Sequence, residues 1–131
     1  MEEIRLSIYG MDGDEQTIET AYMAERDGHT HVVYEETLEA FKGHKSRLKF
    51  KDNYLELTRN GKLPLRMIFE PGREHRMQYP TAFGTLDIGI LTEAVTIKKG
   101  KNMTTLEALY TMDVEDRPRS IRIELIKKTV V

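Results

Sequence analysis

Cysteine is absent from this 131-residue chain, which excludes disulfides and thiolate chemistry and fits a reducing compartment. Tryptophan is absent too. No apolar run approaches the ~20 residues that a membrane span requires. The opening MEEIRLSIYG has acids where a secretory signal carries bases, and no apolar segment follows. These absences lead us to expect a cytosolic protein that crosses no bilayer. Catalytic signatures are missing as well. There is no Gly-x-Ser-x-Gly, no phosphate loop and no His-Glu-x-x-His. The adjacent Glu35 and Glu36 face opposite sides of an extended chain and cannot act as a paired acid and base. We therefore expect no catalytic residue, no cofactor and no metal.

Composition is that of a well-solvated globular chain, 39% apolar and 32% charged. At this length one domain spanning residues 1–131 is expected. Net charge is only −2, but residues 1–40 hold eleven Asp/Glu against two Lys/Arg, and the remaining 91 residues carry +7. Acidic early strands lying beside basic later ones account for this polarity through cross-strand pairs.

Nearly every segment reads with period 2. Ile4, Leu6 and Ile8 alternate with polar partners, and so do the apolar residues of HKSRLKFK (44–51), YLELTR (54–59), LPLRMIFE (63–70), REHRMQY (73–79), LEALYTMD (106–113) and SIRIELIKK (120–128). Turn signals separate them: GMDGDE at 10–15, Asp27-Gly28, Asp52-Asn53, Asn60-Gly61 and Pro71-Gly72. EETLEAFKG (35–43) is the one helix candidate. Turns every ~8–12 residues predict an all-β chain, a sandwich or a barrel. A mostly meander, antiparallel barrel of about eight to ten strands, closed or nearly so, is preferred because closure removes sheet edges.

The stretches 59-RNG-61, 69-FEPG-72, 79-YPTAFGTL-86 and 109-LYTMDV-114, in this order and spacing, resemble the YwiB-like bacterial proteins. The likeness runs from about Ile4 to Ile126 and is anchored on Arg59 with Gly61, Phe69 with Gly72, Tyr79, Phe83-Gly84, Leu86, Thr92 and Tyr110 with Met112. It implies a cytosolic calycin-type, lipocalin-like barrel and no particular activity, because fold does not supply function. Lacking tryptophan, the chain has no Gly-x-Trp lipocalin signature. It also lacks the helical lid that fatty-acid-binding proteins carry after their first strand.

Candidate functional residues follow from strand phase. Arg59 continues the inward phase of Leu55 and Leu57, and Asn60-Gly61 ends the strand just after it. This places a guanidinium, a planar fork of donors suited to anions, at a barrel mouth. Tyr79 and Tyr110 are its expected polar neighbours and Glu36 an expected partner. In the stretch 79–92, Tyr79 before Pro80 ends a strand and Phe83-Gly84 turns a corner. Lys45, Arg47, Lys49 and Lys51 share an outer face opposite Leu48 and Phe50. This ribbon lacks interleaved aromatics, and a solubilising face explains it, so nucleic acid is not expected. His29 and His31 share a strand face but have no third ligand, and 12-DGDE-15 lacks the spacing of a calcium loop. The leading expectation is a non-enzymatic barrel that binds a small polar or anionic ligand at one mouth through Arg59, Tyr79, Tyr110 and Glu36. The alternative is a protein- or RNA-contacting module using the outer strand 45–51.

Overall fold

The computed structural model describes residues 1–11, 14–37, 39–115 and 117–128. Ten strands follow one another: β1 (Glu2–Met11), β2 (Asp14–Arg26), β3 (His29–Glu35), β4 (Lys45–Lys51), β5 (Tyr54–Asn60), β6 (Leu65–Phe69), β7 (Glu74–Thr81), β8 (Gly84–Lys99), β9 (Met103–Met112) and β10 (Arg119–Lys127). All join one antiparallel sheet in the order β6-β5-β4-β3-β2-β1-β10-β9-β8-β7. The strands from the two ends of the described chain, β1 and β10, are paired. The free edges belong to β6 and β7, which are chain neighbours across Pro71-Gly72 and lie side by side without a ladder. The result is the expected meander, a nearly closed barrel with its seam at a tight turn.

Local chemistry accounts for the register. Asp27 and Gly28 both have positive φ (52° and 78°), the two-residue hairpin geometry that matches strand twist. They set Arg26 opposite His29. In β8 a register shift between Thr92 and Ala94 moves the inward phase from Ile88 and Ile90 to Val95, a bulge that curves a long strand around the barrel. The interior is filled by Ile4, Leu6, Leu48, Leu55, Phe69 and Ile123 among others, all but sealed from solvent.

Two sequence expectations are corrected. The described residues of segment 35–43 form no α-helix. Glu36 N donates to the His44 carbonyl at 2.9 Å, extending the β3–β4 ladder and leaving room for only a 3-10 turn at Glu39–Phe41. Tyr79 does not end its strand. β7 runs on through Pro80 to Thr81, because β7 is an edge where proline's missing N–H is no loss. At the β7–β8 hairpin Leu86 is half exposed and Phe83 wholly exposed. The turn residues 12–13 lie outside the described residues.

Candidate ligand-binding site

Odd-numbered strands run toward one end of the barrel, here called upper, and even-numbered strands start there. Arg59, Tyr79 and Tyr110 all fall near the ends of odd strands, and Glu36 directly follows one. All four expected residues therefore belong to the upper end. They divide into two groups.

The first is a row across three strands. Tyr34 on β3 pairs with Ser46 on β4, and Ser46 with Arg59 on β5. All three side chains point inward and are buried, as is Glu36, one inward step beyond Tyr34. Arg59 is 3% exposed and Glu36 4%. Ser46 Oγ donates to Glu36 Oε1 at 2.7 Å. Arg59 Nε donates to the Leu63 carbonyl at 3.3 Å. The Phe41 ring, delivered by the 3-10 turn, covers the guanidinium at 3.5 Å. Two polar atoms, the Tyr34 hydroxyl and Glu36 Oε2, are buried with no hydrogen-bond partner among the described residues. Burial, then the Glu36 carboxylate, push the Tyr34 hydroxyl far above its ordinary pKa, with the nearby Ser46 side chain and then Arg59 pulling the other way.

An opening in the barrel wall lies over this row. The β2–β3 ladder stops at Tyr22 and Val33, and the Thr37 hydroxyl reaches Gln16 Oε1 at 3.3 Å farther up. Between these points lies a cavity of about 720 Å³ lined by Ile18, Tyr22, Val33, Tyr34 and Ser46, with Glu35 and Arg47 at its rim.

The second group lines the mouth beside the seam. Tyr79 and Tyr110 face a cavity of about 410 Å³ walled by Met67, Met77, Leu86 and Met112. Its polar side is the fork of Arg119 on Glu115, with contacts of 2.6 and 2.7 Å. Those bonds hold the Glu115 carboxyl below its ordinary pKa. Arg59 and Glu36 line neither this cavity nor the one between β2 and β3.

The structure thus places Arg59 and Glu36 in one buried row with Tyr34 and Ser46, and sets Tyr79 with Tyr110 elsewhere. Sequence reasoning missed Tyr34, Ser46 and Arg119. Alternation carried the signal for each: Tyr34 shares phase with Val32, Ser46 with Leu48, and Arg119 with Ile121. His29 and His31 project from the outer face with ring centres 6.4 Å apart, and no group of three metal-ligating side chains exists among the described residues.

Residues 5–125 match the family described as Domain of unknown function (DUF1934). The chain belongs to this family. Its fold is similar to that of the crystal structure of the ywiB protein from Bacillus subtilis, with a TM-score of 0.70 over 97% of this chain and 89% of that one. Identity between the two is 18%, so the likeness speaks for the fold. No curated protein matches the chain. Family membership and the shared barrel agree with the resemblance carried by 59-RNG-61 and 79-YPTAFGTL-86.

Proposed function

We propose that this barrel is a cytosolic, calycin-like binding protein that holds a small polar ligand at its upper end, without covalent chemistry. One observation carries the reading: the Tyr34 hydroxyl and Glu36 Oε2 are buried with no hydrogen-bond partner among the described residues, in the row that Arg59 ends. A buried polar atom left unmade costs about 1–3 kcal/mol, and a bound group that satisfies it recovers that cost. The ligand must offer a donor to Glu36 and suit the positive field of Arg59. A small anion that also bears hydroxyl or amine groups meets both demands, whereas a bare anion would be repelled by Glu36. The cavity between β2 and β3 supplies the route to Tyr34 and Ser46.

Native mass spectrometry of the freshly purified protein, followed by thermal shift against hydroxy acids, amino acids and phosphate esters, tests this. At least one compound should raise the melting temperature of the wild type, and Glu36→Gln and Arg59→Met should each lose that response. Retention of the shift in both variants, or no shift and no added mass with any compound, would overturn it. No helix among the described residues is long and apolar enough to cross a membrane.

A further inference from the structure

The strands whose inner side holds Tyr34, Ser46 and Arg59 turn a different chemistry outward. From this we infer that the outer face of β2–β6 binds single-stranded nucleic acid. Six Lys/Arg point outward from these strands, namely Arg26, Lys45, Arg47, Lys49, Lys51 and Arg66, against Glu15, Glu19, Glu35 and Glu56. The face is therefore +2 in a chain of net charge −2, which leaves −4 for everything else. Charges that serve solubility alone are interspersed, whereas four of these cations, Lys45, Arg47, Lys49 and Lys51, stand in one row on β4 with no acid among them. Glu56 already holds Arg66, at 3.1 Å. Arg47 and Lys51 make no side-chain hydrogen bond or ion pair among the described residues, and Lys49 stands opposite Glu56 without bonding it.

The second ingredient is aromatic. Along 45–51 no exposed ring accompanies the bases, but register brings rings in from the neighbouring strands. His31 sits opposite Lys49, Tyr54 opposite Lys51, and Tyr22 lies one strand beyond, across Val33 from Arg47. His29 meets the Tyr54 ring edge to face at 6.0 Å, and Tyr22 is 41% exposed. A groove of about 460 Å³ runs between Arg26, His29, His31, Arg47 and Lys49. Bases flanked by rings on an open sheet face are what a single strand needs, phosphates on the cations and base faces on the rings. A duplex hides its base faces, and an acidic peptide makes no use of the rings.

Fluorescence anisotropy with labelled 15-mers of oligo(U) and oligo(dT), and a duplex of equal length, tests this on the full chain. Both single strands should bind at ~50 mM salt, with affinity falling about 50-fold by ~200 mM if four phosphates are neutralised. The duplex should bind at least tenfold more weakly. The pair Arg47→Glu with Lys49→Glu should abolish binding while the far-side pair Lys98→Glu with Lys99→Glu leaves it unchanged. Tyr54→Ala and His31→Ala should each weaken it roughly tenfold. Melting curves confirm that each variant is folded. Three outcomes would overturn the inference: no single-strand binding at low salt, binding that survives the charge reversal in a folded variant, or polyglutamate bound as tightly as RNA with both ring variants silent.

Discussion

The Arg59 guanidinium stacks on Phe41, 3.5 Å from the ring centre, so a residue from the β3–β4 connection caps a charge buried at the end of β5. A cation–π contact shielded from water is worth about 2 kcal/mol, against about 0.5–1 at exposed sites. Phe41→Leu keeps the apolar cover and removes the π face. In a double-mutant cycle with Arg59→Met, followed by urea unfolding, we expect a coupling of about 0.5–2 kcal/mol. A coupling indistinguishable from zero would mean that Phe41 serves Arg59 as cover alone.

Tyr34→Phe removes a buried hydroxyl that has no hydrogen-bond partner among the described residues. In the unliganded protein this substitution should be neutral or stabilising by up to about 1 kcal/mol, because it relieves an unmet desolvation. Ser46→Ala should go the other way by about 1.5–3 kcal/mol, since Ser46 Oγ donates to the buried Glu36 carboxylate. Chemical denaturation of both variants checks the pair. A strong loss of stability in Tyr34→Phe would show that its hydroxyl is engaged within the protein, and the ligand reading would lose its basis.

How much of this was legible beforehand depended on whether one strand or several had to be known. Leu55, Leu57 and Arg59 alternate in sequence, and their burial follows directly. Asp27-Gly28 fixed a hairpin for equally local reasons. The row Tyr34–Ser46–Arg59 needed the register of two ladders spanning the 35–45 connection, and no local pattern encodes register across such a span. The seam escaped for a related reason. Pro71-Gly72 has the chemistry of a tight turn, yet the strands it joins are the sheet's two edges, and only tertiary closure decides that. Edge position also explains why Pro80 could sit inside β7. The outer rings were hidden likewise, since Tyr22, His31 and Tyr54 lie on three different strands.

Two glycines with positive φ should respond differently to alanine. Gly28 (φ 78°) has open space where a Cβ would project, whereas a Cβ at Gly10 (φ 91°) would lie 2.5 Å from the Ser120 carbonyl oxygen. Gly28→Ala should therefore cost about 1 kcal/mol of backbone strain. Gly10→Ala adds a clash with backbone of the paired strand β10 and should cost at least twice that. Thermal unfolding of the two variants side by side checks the ranking, and an equal loss in both would refute the clash.

The trio Tyr54, Glu56 and Arg66 predicts both limbs of the stability profile. The Tyr54 hydroxyl bonds Glu56 Oε1, and Arg66 Nε donates to Glu56 Oε2 at 3.1 Å. Burial, then the bond to Glu56, push the Tyr54 hydroxyl up to about 12 from 10.0. A folded value above the unfolded one gives stability that is complete below about pH 10 and lost as pH rises toward 12. Glu56 is opposite in sign. Burial raises its pKa, but the bonds from Tyr54 and Arg66 outweigh burial and hold it below its ordinary 4.5. Its contribution is present above that value and is lost as pH falls through the folded one. Tyr54→Phe removes a donor from Glu56, so it should raise the folded pKa of that carboxyl and shrink the stability lost between neutral pH and acid. It should also delete the tyrosinate that appears near pH 12. Ultraviolet titration follows the second effect, and urea midpoints between about pH 3 and pH 6 follow the first. If Tyr54→Phe loses as much stability in acid as the wild type does, the Tyr54 hydroxyl does not hold the Glu56 carboxylate in its charged form.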